Sequence, residues 1–244
     1  MKKMLVACCT MLVASTSLAG QKAAYSIDGQ DYEGYFSKAQ GPSKGLVVLV
    51  HDWDGLTDYE VKRSEMLAAL GYDAFAVDLY GKGNRPTQMQ DKKAETRKLY
   101  SDRQKMRSLI LGGYREAKKH SPERAVVAGY CFGGAVTLEL ARSGQAGDAA
   151  GFVSFHGGLA TPAGQSYAPD TAPIFVAHGG ADKAVKMSAV SDLSAQLEAA
   201  GVAYEIEIYS GAPHAFTVFG SQRYREAADK KSWAAFGDFL NEVL

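Results

Sequence analysis

The chain has 244 residues, 46% of them hydrophobic, and its 27 Lys and Arg residues balance 27 Asp and Glu residues. That balance speaks against a polyanion binder, so neither nucleic acid nor an anionic membrane surface is an expected partner. The length suits one globular domain with a sizeable core, and the sequence shows no internal repeat or low-complexity linker.

The first segment reads as an export signal. Lys2-Lys3 precede an apolar stretch from Met4 to Ala14, and Ser17-Leu18-Ala19 forms a small-x-small cleavage site before Gly20. The apolar stretch is too short to span a bilayer, which takes about 20 residues, so no stable membrane association is expected. Cys8 follows a lipobox-like Leu5-Val6-Ala7, but no apolar region of useful length precedes it. The expected organisation is therefore a signal peptide over 1–19 and one α/β domain over 20–244, exported to the periplasm or secreted. Cleavage removes Cys8 and Cys9 and leaves Cys131 as the only cysteine. A lone cysteine cannot form an internal disulfide, and in an oxidising compartment a free thiol invites a chemical explanation.

From there the chain alternates strand-length apolar runs with segments of helical period. A short hairpin is expected near Tyr32 to Phe36. Apolar runs follow at Leu46 to Val50, Ala74 to Val77, Ala125 to Ala128, Phe152 to Phe155, Ile174 to Ala177 and Tyr204 to Ile208. The last alternates apolar and acidic residues, as an edge strand does. Runs apolar on nearly every residue indicate strands covered on both faces, which is a parallel sheet. Lys92 to Arg107 interleaves basic and acidic residues as a solvated helix face. Met106, Leu109, Ile110, Gly113 and Ala117 share a helical face, as do Val190, Leu193, Leu197 and Ala200, and Trp233, Phe236, Leu240 and Val243. The expected fold is a doubly wound, mostly parallel α/β sheet with helices on both faces. In such sheets ligands bind beyond the carboxyl ends of the strands.

Those ends carry the chemistry. Gly129-Tyr130-Cys131-Phe132-Gly133 directly follows an apolar run and precedes a helical one, the G-x-C-x-G form of a nucleophile elbow with cysteine in place of serine. A buried structural cysteine is the competing reading. A nucleophile needs a base and an acid to orient that base. Asp182, in Gly179-Gly180-Ala181-Asp182, and His214, after Ser210-Gly211-Ala212-Pro213, follow Cys131 in the order nucleophile, acid, histidine that α/β-hydrolases use. Asp170 precedes its strand and Asp192 lies within a helical stripe, which makes Asp182 the better acid. His51, His156 and His178 also follow strands and could line a rim, but their spacing matches no zinc signature, and no metal is expected. His120 reads as a helix-end residue.

On these motifs, together with His51-Asp52-Trp53-Asp54-Gly55, Asp78-Leu79-Tyr80 and Pro213-His214-Ala215-Phe216, the chain resembles the dienelactone hydrolase family over nearly all of its mature length. The resemblance implies an α/β-hydrolase fold without a large lid, and a triad of Cys131, His214 and Asp182. It further implies an oxyanion hole from the backbone N–H groups of Phe132 and Trp53. Asp52 takes the place of a family glutamate that contacts the thiol and is one methylene shorter. The family's two carboxylate-binding arginines fall near Lys82 and on Val218, so the resemblance does not extend to the dienelactone substrate itself.

The expected activity is hydrolysis of small esters or lactones, a small-molecule substrate, through a thioester on Cys131, with His214 favouring the thiolate and no cofactor required. Tyr80, Lys82 and Phe216 are candidates for substrate contact, and Trp53, Phe132 and Phe155 for an aromatic wall or for core packing. Two other classes fit the same residues: a non-catalytic thiol protein of redox or ligand-binding kind, and an acyltransferase or peptidase.

Overall fold

Alternation along each strand decides which layer its side chains join. In the computed structural model, which describes residues 20–244, Leu46, Val48 and Val50 of strand β3 (Leu46–Val50) enter one core while Val47 and Leu49 enter the other. The same division holds in β5 (Ala125–Tyr130), where Ala125 and Val127 face one way and Val126, Ala128 and Tyr130 the other. Both faces are buried, which is why these strands read as continuous apolar runs rather than as alternating ones. The expected export signal, residues 1–19, lies outside the described residues.

The other strands are β1 (Gln21–Ile27), β2 (Gln30–Ser37), β4 (Asp73–Val77), β6 (Ala149–Phe155), β7 (Ile174–Gly179) and β8 (Tyr204–Tyr209). They form one eight-stranded sheet in the order β1-β2-β4-β3-β5-β6-β7-β8. From β4 to β8 every pairing is parallel, and β2 joins β4 antiparallel. Strand β8 forms one edge, as its acidic alternation predicts. At the other edge the hairpin is longer than expected: its first strand, β1, pairs with β2 through a turn at Asp28 and Gly29, both at positive φ. That is the geometry in which a two-residue turn matches strand twist.

Helices α1 (Asp58–Ala69) and α6 (Glu226–Val243) cover one face. The other is covered by α2 (Met89–Ser101), α3 (Arg103–His120), α4 (Phe132–Ser143) and α5 (Met187–Ala200). Thr57 caps α1 in a reciprocal box with Glu60, which satisfies two of the helix's orphan amides. The solvated helix face expected over Lys92 to Arg107 is carried by two helices rather than one. Asp102 ends α2, and its carboxylate accepts the Lys105 N–H at 2.9 Å to start α3. A local cap thus overrides a continuous charge pattern. Among the described residues no helix is long and apolar enough to cross a membrane.

Candidate active site

The carboxyl ends of β3, β5, β6, β7 and β8 open on one side of the sheet, and each delivers a polar residue there. Strand β5 runs straight into α4 with only Cys131 between them. Cys131 holds φ 51° and ψ −110°, a conformation that side chains rarely adopt. The turn closes only because its flanks lack Cβ atoms: one added at Gly129 would lie 2.2 Å from the Gly133 backbone, and one at Gly133 would lie 2.2 Å from the Val50 carbonyl oxygen. The strain is held by the packing of β5 and α4 against β3, and it aims the sulfur out of the sheet.

Cys131 Sγ lies 3.1 Å from His214 Nε2, and His214 Nδ1 lies 2.8 Å from Asp182 Oδ2. The other Asp182 oxygen, Oδ1, accepts the N–H groups of Ala184 and Val185 at 2.7 and 2.9 Å. Burial would raise the Asp182 carboxyl, but the His214 hydrogen bond and these amides outweigh it and hold it below the ordinary carboxylate range. Asp182 is therefore ionised and accepts only. His214 must carry its proton on Nδ1, which leaves the Nε2 lone pair facing the sulfur. The structure thus brings together the three residues that the sequence order singles out.

Two loops are tied to each other to achieve this. The Ala181 N–H donates to Ala212 O at 3.0 Å and the Gly180 N–H to Tyr209 O at 2.8 Å, locking the acid loop to the histidine loop. Behind the histidine, Arg63 of α1 is fully buried, donates to Thr217 O at 2.9 Å and pairs with Asp229 of α6. His156, at φ 40°, shares a 2.8 Å hydrogen bond with Thr217 Oγ1, and its ring lies 5.4 Å from that of His214. Burial first, then the charge of His214, pushes the His156 pKa well below its ordinary value, so it stands as a neutral wall.

Burial works against the thiolate at Cys131. Burial pushes Cys131 up to about 12, with the Asp52 charge as the next cause, although the Phe132 amide directed at the sulfur pulls the other way. Asp52 is buried, has one backbone donor in the Asp54 N–H at 3.0 Å, and is pushed up to about 9 chiefly by burial. Being neutral at ordinary pH, it contributes no charge to the thiol there, and burial remains the dominant cause. Burial at Cys131 thus opposes the thiolate that His214, 3.1 Å away, is expected to favour.

Trp53 is half-buried, with Lys92 Nζ 5.5 Å from its ring centroid, and its carbonyl accepts the Tyr80 hydroxyl at 3.3 Å. The Tyr80 ring packs edge-on to His51 at 4.6 Å and lies 6.0 Å from Phe132. His51 is buried and structural, its Nδ1 bonded to Asp52 O and its Nε2 accepting the Leu79 N–H. His178 is fully buried. Among the described residues no three His, Cys, Asp or Glu side chains are grouped to hold a metal ion.

One candidate for substrate contact is corrected. Phe216 is fully buried in the core beneath α6, packed against Tyr209 and His156, because it follows His214 on the inward side of its loop. Lys82 is exposed on the loop after β4, where its charge acts on Glu33 of β2. Phe155 is likewise core. A residue that sequence reasoning missed takes part: Tyr100 of α2 packs edge-on to Phe132 at 5.4 Å, and its hydroxyl is pushed up by burial and then by the nearby Cys131. Its helix reaches the site only through tertiary packing.

Comparison with known proteins places this geometry. Residues 32–244 match the model of the Dienelactone hydrolase family. A protein of Methylorubrum extorquens that carries the name of a carboxymethylenebutenolidase is 25% identical over 217 residues, which span 84% of this chain and 74% of that protein. Among solved structures, a dienelactone hydrolase-like promiscuous phosphotriesterase from metagenomic libraries is similar with a TM-score of 0.82 at 27% identity, over 92% of this chain and 98% of that one. A Klebsiella pneumoniae structure that carries the name of a dienelactone hydrolase shares the fold with a TM-score of 0.77 at 22% identity, over 91% and 98% of the two chains.

Proposed function

The chain belongs to the dienelactone hydrolase family, and on that premise we propose that it cleaves small esters or lactones through a thioester on Cys131, with His214 as base and Asp182 as its orienting acid. The observation that carries this reading is the unbroken relay at the elbow, Sγ to Nε2 at 3.1 Å and Nδ1 to the Asp182 carboxylate at 2.8 Å. As the sulfur attacks a carbonyl carbon, its proton passes to His214 Nε2, and the imidazolium that forms is stabilised by ionised Asp182. The carbonyl oxygen gathers negative charge. We assign its stabilisation to the Phe132 amide, which lies against the sulfur, and to the Trp53 amide that the family resemblance implies as partner donor. Collapse expels the alkoxide, which takes the proton from His214. Water then gives a proton to His214 and its oxygen to the thioester carbon, and the acid leaves as the sulfur regains its proton.

A redox-sensing thiol is less well supported, because sensor cysteines are low-pKa thiolates and Cys131 is pushed in the opposite direction. The deciding experiment is rapid mixing with a chromogenic aryl ester. Native protein should release one phenolate per chain in a burst, and Cys131→Ala should release none. A Cys131→Ala variant that turns over the ester at the native rate would sink the proposal.

Export is part of the same proposal, resting on Lys2-Lys3, the apolar Met4 to Ala14 and Ser17-Leu18-Ala19. Protein isolated from the producing cell's envelope or medium should begin at Gly20. An intact Met1 start would refute this.

A further inference from the structure

Beyond the triad, the side of the site closed by α2 and α5 holds charges for which the hydrolytic relay has no use. A cleft of about 330 Å³ runs along the acid loop, lined by Tyr100, Arg103, Arg142, Leu159, Val185 and Lys186. It shares its walls with the active site. Val185 donates its amide to Asp182, and Tyr100 packs on Phe132, the residue next to the thiol. A third wall residue, Ala135, lies on the first turn of α4 and donates its N–H to Cys131 O.

The cations are not neutralised. Arg103, Arg107 and Arg142 all converge on one carboxylate, Glu139, at 3.2, 2.5 and 3.2 Å. Burial would raise the Glu139 carboxyl, but its arginine partners and Gln165 hold it below the ordinary range, so it supplies one negative charge to three guanidinium groups. Lys186 adds a fourth cation, and among the described residues it has no ion pair. Asp182, the acid nearest to it in sequence, is committed to His214 and two amides. The Arg142 side chain is 2% exposed and held by Glu139, Gln165 and Tyr167, while Arg103 lies against the Tyr100 ring at 4.9 Å. The guanidinium groups are thus pre-positioned before any ligand arrives, which removes much of the entropy cost of binding one.

We infer that this cleft is a subsite for a dianionic group, of the phosphate-ester class, carried on the ester substrate away from its scissile carbonyl. Arg107 stands outside the lining and pairs with Glu139, which leaves Arg103, Arg142 and Lys186 in the cleft wall with no carboxylate of their own. A single carboxylate would leave most of them unanswered, whereas a phosphate offers three oxygens to forked and point donors alike. The apolar lining from Leu159 and Val185 fits a short carbon chain between the two functional groups. The inference rests on the reading of Cys131, His214 and Asp182 as an ester-hydrolysing triad.

The test uses the purified full chain and three 4-nitrophenyl esters whose acyl chains, of equal length, end in methyl, carboxylate or phosphate. In the native protein kcat/KM should favour the phosphate ester over the methyl ester by about tenfold or more at low salt, with the carboxylate ester between them. In Lys186→Ala, and further in Lys186→Ala with Arg103→Gln, that ratio should fall toward one. Both substitutions alter partly exposed side chains and leave the buried Arg142 and Glu139 in place. A ratio near one in the native protein, or a ratio untouched by either variant, overturns the subsite while leaving the triad standing. A carboxylate ester as good as the phosphate ester overturns the dianion assignment. Absence of any Cys131-dependent hydrolysis, even of the methyl ester, removes the underlying reading and the inference with it.

Discussion

The loops after β7 and β3 each bring an aspartate to the neighbourhood of the thiol, and the two carboxyl groups are opposites. Asp182 is met by the His214 ring and by the amides of Ala184 and Val185, which keep it ionised. Asp52 is met by one amide and by two further acids, Asp54 and Glu60, and burial leaves it protonated up to about 9. Neither is openly exposed. Burial raises both, and only Asp182 has enough donors to outweigh it, so only Asp182 can stabilise an imidazolium. The contrast extends outward: the histidine side is braced by Arg63 and Asp229 between two helices, whereas the Asp52 side is a run of short local contacts ending at Thr57 and Glu60.

The sharpest way to break that comparison is Asp182→Asn. An amide keeps the shape but cannot supply the charge, and its NH2 group can turn to Nδ1 and force the wrong tautomer on His214. We expect kcat for an aryl ester to fall about a thousandfold, with KM little changed. The variant should also lose the acid-side stability that Asp182 contributes. Because its folded pKa lies below the ordinary value, that contribution is complete above the ordinary carboxylate range and disappears as pH falls through the folded pKa. Steady-state kinetics decide the matter. A loss below about tenfold would mean that orientation of His214 is supplied elsewhere, for example by the neutral His156 wall.

Much of this site is legible in the sequence because its parts are local. The elbow needs glycines at fixed offsets from the nucleophile, and the acid and histidine must each follow a strand, so Cys131, Asp182 and His214 declare themselves in order. The buried strands were legible for a similar reason, since both faces are covered. What stayed hidden depends on parts of the chain far from each residue. Strand β1 carries an exposed and buried alternation with polar residues, and only pairing with β2 makes it a strand. Phe216 looks like a pocket residue from its place beside His214, yet the turn of the loop sends it into the core. Tyr100 and Arg103 reach the site because the α2 to α3 break at Asp102 folds the two helices across it. The protonation of Cys131 and Asp52 is set by burial, which no spacing rule reports.

Asp52→Asn tests the other half of the comparison, and its effect on turnover should be the smaller. If Asp52 is protonated in the native state at neutral pH, an amide is a near replica of it, and kcat/KM should change by less than about threefold. A large loss would mean that the ionised form acts on the thiol, as the resemblance to the family's glutamate implies. The informative change is in stability. A carboxyl whose folded pKa is raised keeps a proton that the unfolded chain has released, so its contribution is complete below the ordinary carboxylate range and drains away as pH rises toward about 9. Glu60, pushed up to about 7 by burial, adds to the same slope in the lower part of that window, whereas Asp54, held down by Asp52 and Lys92 against its own burial, does not. Above about pH 7 the lowered pKa values of the buried His51, His156 and His178 no longer add an opposing slope; there, urea midpoints should decline with pH in the native protein and decline less in Asp52→Asn. Equal slopes in the two proteins would show that Asp52 is already ionised, and the two loops would then differ in geometry alone.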